Sequence, residues 1–232
     1  MPHSDRVDLA ETFGAIARTL LAANDVQQTL DRIVRLAVRT IDGCDLAGVT
    51  LIEGRSLRTA AGTGHLPVLV DAIQYETGEG PCLDAIREHE VFRSGNLAVE
   101  ARWPQFSSRA HAETGVTSML GFRLFASEDT MGALHLYSME PDAFADEALA
   151  IGVVFAAHAG VALSSAREEA NLRAALASRD LIGQAKGILM SSEHITAGRA
   201  FEELRIASQH LNRKLRDVAS DVATMGELRR DA

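Results

Sequence analysis

The sequence is poor in cysteine, lysine and aromatic residues. Its 232 residues include two cysteines, Cys44 and Cys82, too few for a disulfide framework. No cysteine or histidine pair has the short spacing of a zinc site, so we predict no metal site and no cofactor. No run approaches the roughly 20 uncharged apolar residues of a membrane-spanning helix, and the first residues lack the features of a signal peptide. We therefore expect a cytoplasmic protein with reduced thiols and no membrane contact.

Charge is unevenly distributed along the chain. The net charge of −9 argues by itself against a nucleic-acid partner. Residues 1–170 contain 13 Arg and no Lys against 24 acidic residues, whereas residues 171–232 contain 10 basic and 8 acidic residues. Both lysines, Lys186 and Lys214, lie in the second part. This pattern favours an acidic domain joined to a mildly basic one, although chance variation between short helical segments explains it equally well.

Hydrophobic periodicity predicts two helices followed by a sheet. Residues 8–22 and 26–41 carry apolar residues at helical spacing. From Asp45 the pattern changes to short apolar segments separated by glycine, which predict four strands. Residues 127–130 separate the last two strands at the distance of an antiparallel hairpin. Residues 65–113 form a long insertion, which we expect to cover one face of the sheet and to wall a pocket.

A long helix is predicted after the sheet. The helical pattern continues beyond Pro141 with no further proline. Its alanine-rich apolar face contains Gly152 and Gly160, which allow a second helix to approach closely, so we infer a dimer seam here. The alternative is two helices that are broken near Ser164 and Ser165.

The carboxy-terminal end is predicted to form a bundle of three helices. A second helix begins after its cap Thr196, and a third begins after its cap Asn212. We place Ala200, Phe201 and Leu204 in the shared core. Phe201 is expected at its centre, because burying this ring contributes about 2 to 3 kcal/mol where few other side chains are large.

Several polar side chains of this bundle are not needed for its core. Lys and Arg pair with phosphates, while Ser, Gln and the planar Arg can hydrogen-bond to bases of an RNA loop or stack on them. The candidate RNA-binding residues are Gln184, Lys186, Arg205, Ser208, Arg213 and Lys214. From the residues alone, an ordinary solvated helix face is the simpler interpretation.

Three sequence blocks of the tail are specific enough to compare with known families. They are I-G-Q-A-K-G-I-L-M at 182–190, A-F-x-x-L-R-x-x-S at 200–208 and N-x-K-L-x-D-V-A at 212–219. Together they resemble the ANTAR domain, an RNA-binding antitermination module. The resemblance implies a three-helix domain that works as a dimer, binds paired RNA hairpins and favours transcription through a terminator. It matches Ala200 and Phe201 to core positions. In the same resemblance, polar positions expected near RNA are occupied by Lys186, Arg205, Ser208, Arg213 and Lys214.

Three further segments lie in the predicted sheet region. They are G-E-G-P-C-L-D-A at 78–85, R-W-P at 102–104 and M-G-A-L-H-L-Y at 131–137. Through them, residues from about 26 to 165 resemble a GAF domain, of the type found in front of ANTAR modules in actinobacteria. A GAF fold implies a central antiparallel sheet, helices on one side that pack with a partner's, and a pocket on the other. The candidate residues of a sensor pocket are Cys82, Trp103 and His135. Purely structural roles for all three stay open.

The sequence therefore predicts an α+β protein of three parts. These are an amino-terminal helix at 1–25, a GAF-like antiparallel sheet domain with flanking helices at 26–165, and an all-α three-helix ANTAR-like domain at 166–232. We expect a homodimeric regulator of transcription, without enzymatic activity, that binds hairpin RNA. A small-molecule ligand or a partner protein is expected to act on the GAF-like domain.

Two other function classes stay open. One is a GAF-based redox enzyme that reduces methionine sulfoxide with Cys82 or Cys44. The other is a DNA-binding regulator, although the tail lacks a clear short turn followed by a polar recognition helix.

Overall fold

The chain divides into two compact units, Met1–Arg167 and Glu168–Ala232. The first contains an antiparallel sheet with helices, and the second is helical, so the predicted α+β fold class is confirmed. The computed structural model describes residues 14–23, 25–54, 56–88, 91–126 and 129–228.

The first unit is built around a five-stranded antiparallel sheet in the order β2-β1-β5-β4-β3. Its elements are α1 (Val26–Thr40), β1 (Leu46–Glu53), β2 (Ser56–Gly62), α2 (His65–Thr77), α3 (Pro81–Glu88), β3 (Phe92–Ser94), α4 (Pro104–Thr114), β4 (Ser118–Ala126) and β5 (Asp129–Ser138). The four predicted strands and the β4–β5 hairpin are confirmed, whereas β3 was not predicted. Residues 14–21 are helical, and the rest of the helix predicted over 8–22 lies mostly outside the described residues.

The long insertion is largely helical. It contributes α2, α3 and α4 to one face of the sheet, where they share an apolar core with Met119 of β4 and Tyr137 of β5. The opposite face packs against α1 and the long helix α5 (Asp146–Ser192), in a core that includes Phe122 and Leu134. Because side chains alternate along each strand, the two faces carry separate sets of residues.

Helix α5 is unbroken from Asp146 to Ser192, so the alternative of a break near Ser164 is wrong. Gly152 and Gly160 face the sheet of the same chain. A Cβ on Gly160 would lie 2.3 Å from the carbonyl oxygen of Phe125. These glycines therefore allow close packing of α5 on its own sheet, and the inference that they mark a dimer seam is wrong.

Helix α5 is also long and apolar enough, by length and composition, to cross a membrane. The expectation that no segment approaches this composition is therefore wrong. Phe155, Ala159 and Leu163 are buried in the core between α5 and the sheet, which accounts for part of the apolar character.

The second unit consists of the end of α5 with α6 (Ala197–His210) and α7 (Leu215–Met225). Thr196 caps α6, since its side chain accepts a hydrogen bond from the backbone N–H of Arg199. The predicted cap of α7 is wrong. Lys214 occupies that position without a side-chain cap, and Asn212 adopts a left-handed conformation (φ 49°) in the preceding turn.

Candidate nucleic-acid interface and buried polar cluster

The three carboxy-terminal helices share a core of small apolar side chains. Its fully or nearly fully buried members are Ala185, Leu189, Ala200, Leu204, Ala207, Val218, Ala219 and Val222. Phe201 is 40% exposed, so the prediction that it forms the centre of this core is wrong. Each helical residue is rotated by about 100° from the last, and the side chain that follows Ala200 therefore leaves the inner face.

Phe201 instead lines a groove of about 530 Å³ between α5 and α6, which we call the Phe201 groove. The other lining residues are Ala175, Ser178, Arg179, Ile182, Gly183 and Lys186. A Cβ built on Gly183 would meet no atom within 4 Å. Packing within the chain therefore does not require glycine at this position, and the groove is open beside it.

The Phe201 groove is basic. Arg179 and Lys186 line it, and none of the described residues in its lining is acidic. Within the described part of the chain, neither cation forms an ion pair with a carboxylate. An exposed aromatic ring flanked by two unpaired cations suits a ligand with a flat ring and a negative charge.

Both arginines predicted to contact RNA are engaged by acidic residues. Arg205 pairs with Glu202 (Nη2 to Oε1, 2.6 Å), and this hydrogen bond raises the arginine's pKa. Arg213 pairs with Asp221. Lys214 is exposed and, among the residues described, makes no ion pair. The lysine therefore retains more attraction for phosphate than either arginine.

The remaining predicted contacts lie outside the Phe201 groove. The hydroxyl of Ser208 donates a hydrogen bond to the backbone oxygen of Arg213 (2.6 Å), which holds the turn between α6 and α7. Gln184 is exposed on α5. Of the six residues predicted to bind RNA, Lys186 alone lines the groove, which it shares with Arg179 and Phe201.

A second site lies in the insertion-side core of the first unit. Asp71 of α2, Cys82 of α3 and His135 of β5 are fully buried there, and we call them the buried cluster. The Sγ of Cys82 lies 2.6 Å from Nδ1 of His135. Burial raises the pKa of the Cys82 thiol well above its usual value and lowers the pKa of His135, so both groups are held neutral.

Asp71 was missed by the sequence analysis. Its carboxylate accepts hydrogen bonds from the hydroxyls of Thr50 (3.0 Å), Thr59 (2.8 Å) and Tyr137 (2.9 Å). It also accepts one from the amide of Gln74 at 3.3 Å. The available signal was a carboxylate within the largely apolar helix sequence HLPVLVDAIQYET.

Trp103, the third predicted pocket residue, is buried in the same core. Its indole Nε1 donates a hydrogen bond to the carboxylate of Asp84 (2.6 Å), and its ring meets Phe92 edge to face. The guanidinium of Arg102 lies 4.4 Å from its ring centroid. These contacts anchor the insertion, which agrees with the packing role left open for this residue.

Comparison with known domain families finds a match for each of the two units. A GAF domain model matches residues 23–164, and an ANTAR domain model matches residues 170–222. The chain belongs to the GAF domain family. The GAF match covers more than half of its length, and the ANTAR match covers the helical unit. GAF domains are sensor domains and ANTAR domains are RNA-binding antitermination domains, a combination typical of regulatory proteins.

Solved GAF structures share the fold of the first unit. The GAF domain of an Acinetobacter phosphoenolpyruvate-protein phosphotransferase is 17% identical with a TM-score of 0.54, covering 74% of this chain and 99% of that one. The free methionine-R-sulfoxide reductase of Neisseria meningitidis is 17% identical with a TM-score of 0.56, covering 69% of this chain and 91% of that one. These likenesses show the fold alone. No curated protein sequence matches the chain.

The GAF domain of this chain holds its two thiols away from solvent. Cys44 and Cys82 are both buried and free. Burial raises the pKa of Cys44 to about 12 and that of Cys82 well above its usual value. Because the thiolate is the reactive form of cysteine, neither side chain is prepared for nucleophilic attack on an external substrate.

Proposed function

We propose that this protein is a signal-responsive antitermination regulator that binds hairpin RNA through its ANTAR domain, as a homodimer. The GAF domain acts as its sensor, for a small-molecule ligand or a partner protein. The observation that carries the RNA assignment is the Phe201 groove, because it combines unpaired cations with an exposed aromatic ring inside an ANTAR match.

Hairpin RNA suits this groove better than a regular duplex does. Bases in an RNA loop are unstacked and can lie on an aromatic ring, whereas bases inside a duplex stay stacked on their neighbours. Phe201 supplies the ring, and Arg179 and Lys186 supply positive charge for the adjoining phosphates. Lys214, Arg205 and the other predicted polar residues then serve as outer contacts.

The dimer is supported by exposed leucines on α5. Leu172 and Leu176 are each 60% exposed, and together with Arg179 they follow the spacing of a coiled-coil seam. A second copy of the helix would cover both leucines. If the two helices ran parallel and the seam continued further, Arg179 would face Arg179 of the second copy, and Lys186 would face Lys186. Because like charges repel, we place the end of the seam before Arg179.

A cytoplasmic location fits this function, because the proposed partner is a nascent transcript. Part of the apolar face of α5 is buried within the protein, because Phe155 and Leu163 pack in the GAF core. Val153 and Val161 remain exposed on the same helix and add apolar surface for the second copy.

Crosslinking of RNA to the full-length chain in cells, followed by sequencing, tests the proposal. We expect enrichment of paired hairpins next to terminators, and loss of that enrichment in the Phe201→Ala variant. A recovered hairpin should bind the purified protein more tightly than duplex DNA of the same sequence, with an affinity that falls steeply with salt. Equal binding of the two nucleic acids would contradict an RNA-specific function.

The dimer has its own test. Replacing Leu172 and Leu176 with glutamine should shift the full chain from dimer to monomer in sedimentation analysis, while the circular dichroism spectrum is retained. Met225 is another exposed apolar residue, 43% exposed at the end of α7, and Met225→Gln is the control that should stay dimeric. A wild-type chain that sediments as a monomer would contradict the proposed assembly.

A further inference from the structure

The buried cluster brings together three different kinds of metal-binding atom. A carboxylate oxygen of Asp71, the Sγ of Cys82 and a ring nitrogen of His135 all lie within 4.8 Å of one another. The three residues are far apart in the sequence and come from α2, α3 and β5, which meet on the insertion side of the sheet. They do not form a closely spaced metal-binding motif. For this reason the sequence analysis predicted no metal site.

The electrostatics of the cluster favour a cation. Asp71 is fully buried, and the contacts described above surround it with neutral donors, the hydroxyls of Thr50, Thr59 and Tyr137 and the amide of Gln74. Among the described residues, no lysine or arginine forms an ion pair with this carboxylate. These four hydrogen bonds offset part of the cost of burying the charge, and a bound metal ion would replace one of them while supplying the positive charge that the carboxylate lacks.

Hydrogen bonds behind the cluster already orient its donors. Nε2 of His135 lies 3.1 Å from the hydroxyl of Thr50, which leaves Nδ1 directed at Cys82. The hydroxyl of Tyr137 holds one oxygen of Asp71, at 2.9 Å. Such outer contacts to a ligating histidine and carboxylate are the usual support of protein metal sites.

We propose that Asp71, Cys82 and His135 form a binding site for a divalent transition-metal ion of the Zn²⁺ class. Thiolate, imidazole and carboxylate together suit Zn²⁺, Co²⁺ and Fe²⁺ better than Mg²⁺ or Ca²⁺, which prefer oxygen alone. On binding, the metal–sulfur bond forms and the Cys82 thiol releases its proton to solvent. Three protein donors leave one position of a tetrahedral ion for a further donor.

Cobalt titration of the chelator-treated full-length chain, under reducing conditions, tests this proposal. We expect one Co²⁺ per chain, a near-ultraviolet band from sulfur-to-metal charge transfer, and displacement of Co²⁺ by Zn²⁺. Cys82→Ser should remove the band. His135→Ala removes a direct ligand and should weaken binding by more than the roughly 10-fold that loss of an outer partner typically costs. Cys44→Ser is the matched control, because Cys44 is also buried but belongs to the core on the opposite face of the sheet, and its band should remain.

The wild-type titration is decisive without any variant. A folded chain that retains no Co²⁺ after gel filtration, or that binds it without the charge-transfer band, would overturn the proposal. Survival of the band in Cys82→Ser would overturn it as well. Asp71→Asn keeps the size of the side chain, and an unchanged Co²⁺ affinity in that variant would remove Asp71 from the site.

Discussion

Gly152 of α5 lies directly against the ring of Phe122 on β4. A Cβ at this glycine would come within 2.3 Å of the ring Cζ, much closer than any real contact. The helix can therefore rest on the sheet only because position 152 has no side chain. Further along the same helix, Gly183 has no atom within 4 Å of its Cβ position.

These two glycines predict opposite effects of the same substitution. Gly152→Ala should destabilise the protein by about 1 to 3 kcal/mol, because the added methyl group overpacks the GAF core. Gly183→Ala should stabilise the helix by up to about 1 kcal/mol, because alanine is the better helix former. Thermal and urea unfolding of the two full-length variants measures both changes. Equal destabilisation by the two would contradict the packing described here.

Phe201→Ala separates RNA binding from stability. The ring is partly exposed, so we expect a stability loss of only about 1 kcal/mol. Loss of stacking should weaken hairpin binding by about 1 to 3 kcal/mol. Leu204→Ala is the contrasting variant. It should cost about 2 to 5 kcal/mol of stability, because Leu204 is fully buried. Urea unfolding and fluorescence anisotropy with a labelled hairpin measure the two effects.

Lys186→Ala should weaken hairpin binding more than Arg205→Ala does. Lys186 lines the Phe201 groove without a carboxylate partner, whereas Arg205 is already paired with Glu202. Loss of a phosphate contact should also lower the slope of log affinity against log salt by about 1. Anisotropy titrations at several salt concentrations measure both quantities. A larger effect of Arg205→Ala would show that Glu202 releases the arginine on binding.

Glu100 should contribute acid-sensitive stability to the GAF domain. Hydrogen bonds from the Arg102 side chain lower the pKa of this carboxyl from 4.5 to about 2. Because the pKa is lower in the folded state, the stabilisation is complete above pH 4.5 and is lost as the pH falls towards 2. Its size is about 1 kcal/mol after allowance for solvent screening at the half-exposed Arg102.

Urea unfolding between pH 2.5 and 6 compares the wild-type chain with Glu100→Gln. The difference in stability between them should shrink as the pH falls through this window. A constant difference over the whole range would mean that the Glu100 charge contributes nothing to stability.

Much of the fold could be predicted from the sequence because it depends on local pattern. The four strands, α1 and the carboxy-terminal helices follow from hydrophobic period, and Thr196 was recognisable as a cap. The short strand β3 escaped detection, because three residues carry too little periodicity to indicate a strand.

The wrong predictions concern residues whose spacing allows them to face either of two surfaces. Phe201 fits the helical period of a core position nearly as well as Ala200 does, and its size suggested burial. The bundle is instead filled by alanine, valine and leucine, which allow the helices to approach closely. Gly152 and Gly160 likewise permit close packing, but the sequence could not show whether a partner helix or the chain's own sheet is packed there.

The sequence by itself determined the order of elements, the α+β class and the GAF and ANTAR resemblances. All of these depend on local periodicity and short motifs. Tertiary structure alone decided that Cys82 and His135 lie within hydrogen-bonding distance although 53 residues separate them. It also decided that Phe201 faces a basic groove. Both outcomes depend on how elements distant in the sequence pack together, and no local pattern encodes that packing.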